Sequence, residues 1–238
     1  GHGTHVAGTA AAKDNGIGVV GVAPGARLWN VKVLNRQGSG YISDIIRGID
    51  YVTAHRNEIE VANMSLGCEC ASTALDEAIA RSVAAGIVYA VAAGNSGKDA
   101  QTFSPANHPD VIAVSAIADF DGKAGGLKSA TCLSEQDDTF AYFSNFGSVV
   151  DIAAPGVCIY STWKSSSYKT ISGTSMASPH VAGTVGLYLA THSKPTDRAG
   201  VAAVRTAILS GATLQTDPEG FTGDPDFYRE PLVNAEPL

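Results

Sequence analysis

Apolar and polar positions fall into two alternating rhythms along most of the chain. Residues 27–34 (RLWNVKVL), 60–66 (EVANMSL), 87–93 (IVYAVAA) and 111–118 (VIAVSAIA) are short, nearly continuous apolar runs that read as buried strands. Between them the period lengthens. Over 43–56, Ile45, Ile46, Ile49 and Val52 share one helical face, with Ser43 expected as the N-cap. Over 73–85, Leu75, Ile79 and Val83 do the same, and Gly86 is expected to stop the helix. Apolar strands separated by helices predict an α/β fold with a parallel sheet covered on both faces. In such sheets, reactive groups gather at the carboxyl ends of the strands.

The rhythm breaks at 119–148, a Gly-, Ser- and Asp-rich stretch expected to form a surface loop or irregular hairpin. Strands are expected again at 149–153 and 168–172. The second feeds a turn and a helix of small residues, GTSMASPHVAGTVGLYLA. An amphipathic helix at 198–210 and a Pro-, Gly- and Asp-rich tail at 215–238 follow. There is no internal repeat, and the 238 residues read as one domain.

Composition narrows the classes. The chain is 45% hydrophobic and 16% charged, which suits a packed core and argues against disorder. Its formal net charge is −7 with no basic cluster, so nucleic acid is not an expected partner. No apolar run is long enough to span a bilayer, so neither is a membrane. Cys68, Cys70, Cys132 and Cys158 lack zinc-site spacing. Cys68 and Cys70 look too close to bridge each other, so each is expected to reach Cys132 or Cys158 in an oxidising compartment, the alternative being four free thiols. No leader is visible, which carries no information because the chain opens inside a motif.

Three segments carry candidate chemistry. Ser175, in ISGTSMASPHVAG, sits where a strand turns into a helix, with its hydroxyl exposed and free N–H groups beside it. Gly173 permits close backbone approach there, and Ala177 and Gly183 permit tight helix packing. The plainer reading is a buried small-residue helix that happens to contain serines. His2 and His5, in GHGTHVAG, head another small-residue helix, where a histidine is either a general base or a satisfied core residue. Their spacing lacks the HExxH pattern of a metal pair. Asn95, in AVAAGNSG, follows a buried strand and is either a donor aimed into a site or part of a common turn.

Together these blocks, in this order, resemble the subtilisin-like serine proteases, and VKVLNRQGSGY, NMSLG and FYREPLVNAEPL extend the resemblance over nearly the whole chain. It implies a three-layer fold with a mainly parallel central sheet. It also implies peptide-bond hydrolysis through a Ser-His-Asp triad and an acyl-enzyme, with Ser175 as nucleophile, His2 as base and Asn95 as oxyanion donor. His5 and His180 are then structural. The family's aspartate lies upstream in an Asp-Ser-Gly or Asp-Thr-Gly block that residues 1–238 lack, and Asp14, Asp44 and Asp50 stand in the wrong context. The expectation is therefore a catalytic domain without its N-terminal part.

By the same resemblance, Gly38, Ser39, Gly40 and Tyr41 and the segment Ser65, Leu66 and Gly67 are the two strands that sandwich a peptide substrate. Ala93, Gly94 and Asn95 form a wall of the pocket for the side chain before the scissile bond. The loop 95–109 resembles that of proteinase K-like members, placing Phe103 near the pocket floor and implying broad specificity with an apolar or aromatic preference. No cofactor is implied for catalysis, but two structural calcium sites are. One uses Asn15 with the carbonyls of Lys13, Ile17 and Val19. The other uses the carbonyls of Pro109 and Val111 with the Asp151 carboxylate. A secreted monomer that acts on proteins and peptides and has an inhibitory N-terminal propeptide completes the expectation. The rivals are a catalytically inactive module of the same fold, a Ser-Glu-Asp carboxyl peptidase, which lacks this histidine, and an α/β-hydrolase, which needs Gly-x-Ser-x-Gly.

Overall fold

A computed structural model describes residues 1–236, so the last two residues of the 215–238 tail lie outside the described part. The central sheet is built from the apolar runs. Strand β1 (Val61–Met64) pairs in parallel with β3 (Val88–Ala92), which pairs in parallel with β5 (Ile112–Ala118). The far edge of β5 pairs in parallel with β7 (Ile152–Pro155) and, at its end, antiparallel with the two-residue β6 (Thr139–Phe140). Every residue of β3 and β5 is buried, as continuous apolar strands covered on both faces should be.

Among the described residues, five α-helices accompany this sheet. Helix α1 spans His2–Ala11, α2 Ile42–Ala54, α3 Thr73–Ala84, α4 Thr174–Thr191 and α5 Arg198–Ser210. Helix α4 crosses β1, β3, β5 and β7 and also packs along α1, while α2 and α3 pack on each other. The architecture is three-layer α/β. An α1–α4 contact this close depends on glycine: a Cβ on Gly183 would come 2.7 Å from Val22 Cβ and 3.1 Å from the Ala10 carbonyl.

Several expectations need correction. Residues 27–34 pair with no strand among the described residues; Trp29 and Val31 lean on the core, but a ladder also needs a backbone neighbour. The N-cap of helix α2 falls two residues early, at Tyr41 and with no side-chain cap, so Ser43 lies inside the first turn. Ser72 caps α3 instead, accepting from Leu75 N–H, and Gly86 does end that helix region at φ +94°. The strand expected at 149–153 sits later, at β7. The strand expected at 168–172 is β9 (Ser167–Ile171), paired antiparallel with β8 (Ile159–Trp163), which the hydrophobic pattern did not reveal.

The cysteines also pair differently. Cys68 bonds Cys70, and Cys132 bonds Cys158. Next to the short pairing of β2 (Cys68–Glu69) with β4 (Phe103–Ser104), the Cys70 N–H closes a tight turn on the Cys68 carbonyl at 3.0 Å, which brings the two Cα atoms to 5.3 Å. The 119–138 loop meanwhile folds back so that Cys132 lies 5.8 Å, Cα to Cα, from Cys158.

The tail is stitched into the sheet. Leu232 bridges Ala153 and Thr213, and Glu230 is buried with its carboxyl accepting from Ser115 Oγ at 2.7 Å. Burial pushes the Glu230 carboxyl up to about 7.

Candidate active site

The site forms where β1 and β3 end and α4 begins. Gly173 precedes α4 at φ 153° and ψ 161°, a conformation essentially restricted to glycine, and it hands the chain directly into the helix. Ser175 is the second residue of α4, and its N–H has no backbone acceptor among the described residues. An N–H in that position, at the positive end of an 18-residue helix, is suited to an oxyanion.

Asn95 is fixed beside it by a residue the sequence reading did not single out. The Thr174 N–H donates to Asn95 Oδ1 at 2.8 Å, and the Thr174 hydroxyl donates to the same oxygen at 2.9 Å. The hydroxyl also accepts from Gly94 N–H at 3.1 Å. These bonds fix the amide's orientation and leave its Nδ2 donors without a protein partner among the described residues. Asn145, fully buried, braces the rest of this loop. It donates from Nδ2 to the Ala93 carbonyl and accepts at Oδ1 from the N–H groups of Ser96 and Lys98. No sequence signal marked Asn145, because its partners lie some fifty positions away.

Phe103 packs beside the segment Ala93, Gly94 and Asn95. The Phe103 ring carbon Cδ1 lies 3.3 Å from where a Cβ on Gly94 would stand. Leu66 and Gly67 make no backbone–backbone hydrogen bond among the described residues, so their edge is open to an added strand. On the other proposed substrate strand, Gly38 and Ser39 are curled into a tight turn closed by Asn35, whose Oδ1 accepts from Gln37 and Ser39. Gly40 and Tyr41 leave that turn along a groove of about 590 Å3 that Val31, Val33 and Tyr51 also line.

His2 is the first residue of α1, and no carboxylate among the described residues hydrogen-bonds to it. Part of the residue meets solvent. Even so, desolvation of its ring and then the nearby His5 hold its pKa below the ordinary histidine value. Ser175 Oγ makes a long contact of 3.4 Å to the Ser65 carbonyl, not to His2. In structures without substrate, such catalytic hydrogen bonds are often unformed. His5 is fully buried, with Nε2 reaching the carbonyls of Ile159 and Lys169, so it ties α1 to the β8–β9 hairpin. Burial drives the His180 pKa down to about 4, and Nδ1 bonds the Met176 carbonyl within α4.

The two calcium loops differ in fitness. Residues 13–19 form an exposed loop with Gly16 and Gly18 in left-handed conformations, and Asn15 Oδ1 accepts only from Ile17 N–H. That oxygen keeps a lone pair for a hard cation. At the second site, one Asp151 oxygen accepts from Ala113 N–H at 2.9 Å and the other pairs with Arg205, so an ion held there with Pro109 and Val111 would share the carboxylate with a guanidinium.

The arrangement defines an α/β protein with a serine at the head of a central helix and a fixed amide donor alongside. Comparison with known proteins gives the family. Residues 1–226 match the Peptidase_S8 model, the subtilase family, and the chain belongs to that family. It is 42% identical over 239 residues to Subtilisin DY of Bacillus licheniformis, covering 99% of this chain and 76% of that protein. It is also 42% identical to Subtilisin E of Bacillus subtilis (strain 168), where the match covers 99% of this chain and 55% of that protein. A crystal structure of a cold adapted subtilisin-like serine proteinase superposes with a TM-score of 0.76 at 38% identity, covering 99% of this chain and 74% of that one. A Pseudoalteromonas arctica protease gives a TM-score of 0.80 at 32% identity, covering 98% and 68%. No helix among the described residues is long and apolar enough to cross a membrane.

Proposed function

We propose that the chain is the greater part of the catalytic domain of a secreted serine endopeptidase. The observation that carries this reading is the Thr174 clamp, which turns the Asn95 amide outward next to the free Ser175 N–H. A clamped amide and a free N–H together suit a developing oxyanion and nothing in the fold's own hydrogen bonding.

In the reaction, Ser175 Oγ attacks the scissile carbonyl carbon while His2 accepts the hydroxyl proton. Asn95 Nδ2 and Ser175 N–H bind the resulting oxyanion. The tetrahedral adduct collapses, the C–N bond breaks, and His2 passes its proton to the leaving amine. Water repeats the sequence on the acyl-enzyme, releasing the acid and restoring Ser175. The carboxylate that orients His2 comes from a segment outside residues 1–238. Substrate lies as an added strand along Ser65–Gly67 and Gly40–Tyr41, with an apolar or aromatic side chain against Ala93, Gly94 and Phe103. The active enzyme is a monomer restrained before maturation by its own propeptide. The rival, an inactive binding module of the same fold, would be favoured if the segment preceding His2 supplied no aspartate.

Asn95→Ala in the full-length enzyme is expected to lower kcat by about 10²–10³ with KM little changed, the loss known for the corresponding donor of a subtilisin. An unchanged kcat would remove Asn95 from the oxyanion site.

Asn15 and the carbonyls of Lys13, Ile17 and Val19 would hold a structural calcium ion, which stabilises the fold and takes no part in the chemistry. Saturating calcium about 100-fold over Kd should add about 2.7 kcal/mol, seen as a raised Tm that chelator reverses and Asn15→Ala blunts. A Tm indifferent to both calcium and chelator contradicts the site.

A further inference from the structure

Helix α4 contains a proline four residues after the nucleophile. In a regular helix the N–H of residue 179 would bond the carbonyl of residue 175. Pro179 has no N–H, and its ring crowds that same carbonyl. The Ser175 carbonyl is thus left without its helical partner, at the point where the nucleophile's backbone must be held still.

The structure supplies a replacement from the residue that follows β1. Ser65 Oγ donates to the Ser175 carbonyl at 2.7 Å. The Ser65 hydroxyl is itself aimed, because Asn63 Nδ2 donates to Ser65 Oγ at 2.9 Å and so commits its proton to the carbonyl. Asn63 is aimed in turn by Ser178, fully buried, whose Oγ donates to Asn63 Oδ1 at 2.8 Å. The chain Ser178–Asn63–Ser65 runs one way and ends on the nucleophile's own peptide.

We infer that Ser65, oriented by Asn63 and Ser178, is a positioning residue that holds the Ser175 carbonyl in place of the N–H Pro179 lacks. Fixing that carbonyl fixes the Ser175–Met176 peptide plane. That plane meets the Thr174–Ser175 peptide at the Ser175 Cα, so holding it restricts ψ of Ser175 and steadies the backbone from which the Ser175 hydroxyl and N–H project. The inference rests on Ser175 being the nucleophile, as proposed above. It assigns the Ser65 side chain a role separate from its backbone's contact with substrate.

The test is a double-substitution cycle in the full-length enzyme, read by peptide kinetics and by the rate of fluorophosphonate labelling. Ser65→Ala should lower kcat and the labelling rate about tenfold with KM within about twofold, the size expected for one lost hydrogen bond that leaves a carbonyl unpaired. Ser65→Thr, which keeps the hydroxyl, should recover most of the rate. In a Pro179→Ala background the new N–H can claim the carbonyl, so Ser65→Ala should cost less than about threefold there. Ser178→Ala, which disturbs only the aim of the relay, should give a smaller loss of the same kind and serves if Pro179→Ala does not fold. A Ser65→Ala variant that labels at the parent rate overturns the positioning role. So does a full tenfold cost that persists in the Pro179→Ala background. Labelling that survives in Ser175→Ala would instead overturn the identification of the nucleophile, so the two failures are distinguishable.

Discussion

Ser175→Ala is expected to abolish fluorophosphonate labelling and to lower kcat about 10⁶-fold, the scale on which a subtilisin suffers when its nucleophile is removed. The reasoning is geometric. Ser175 combines a hydroxyl at the site with its own N–H at the head of α4, and Asn95 is clamped beside it. Nothing else nearby has that combination: Ser178 and Thr174 are fully buried, and each is committed to an asparagine. Deleting one oxygen therefore removes the covalent route while leaving the oxyanion donors, which on their own still catalyse weakly. Substrate affinity should survive, since the peptide-binding edge at Leu66 and Gly67 is untouched. Mass spectrometry of the labelled protein settles the assignment, and a probe found on any other serine contradicts it.

The second large effect concerns the partner of His2. Residues 1–238 alone are expected to be nearly inert, and adding the natural upstream segment should raise kcat by roughly 3 × 10⁴, the loss recorded for a subtilisin stripped of its aspartate. Changing the supplied Asp to Asn should forfeit most of that gain with circular dichroism unchanged. The pH profile gives an independent check. His2 must be neutral to accept the proton, so activity rises as pH climbs through its pKa. Desolvation and His5 both lower that pKa in residues 1–238. A carboxylate on the ring would stabilise the imidazolium and raise it. The midpoint of kcat/KM should accordingly lie below the ordinary histidine value of about 6.5 without the aspartate and move upward with it. Full activity from residues 1–238 alone would mean that a carboxylate within them completes the triad.

The buried framework was legible because β3 and β5 are unbroken apolar runs and because α3 and α5 keep a clean helical period. Elements whose character depends on a neighbour were not. Residues 27–34 have strand composition but no ladder, and β8 alternates Tyr160 and Ser161 irregularly because it packs on α1 rather than within the main sheet. The Cys68–Cys70 bridge is not legible because it needs the tight turn that the Cys70 N–H closes on the Cys68 carbonyl, which residue spacing alone does not announce. At the site, His2, Ser175 and Asn95 stand in long recognisable blocks. Asn145 does not, and although Thr174 and Asn63 lie within such blocks, all three gain their roles from a partner across the fold: Thr174 from Asn95, Asn145 from Ala93 and Asn63 from Ser178.

The 119–138 loop has a bearing on how a proteolytic enzyme ages. It is mostly exposed, Leu127 within it is 82% accessible, and it joins β5 to residues that return to the sheet as β6 and β7. Self-digestion would start there. A cut near Leu127 leaves Cys132 and Cys158 on the same side of the break, so that disulfide cannot hold the halves together. The β5–β7 ladder, paired from Val114–Ile152 to Ile117–Pro155, can. So can α4, which lies across strands from both halves. A nicked molecule would keep Asn95 on one piece and Ser175 on the other, still facing each other. Such damage would be silent in a native assay and would surface only when denaturant lets the two pieces part.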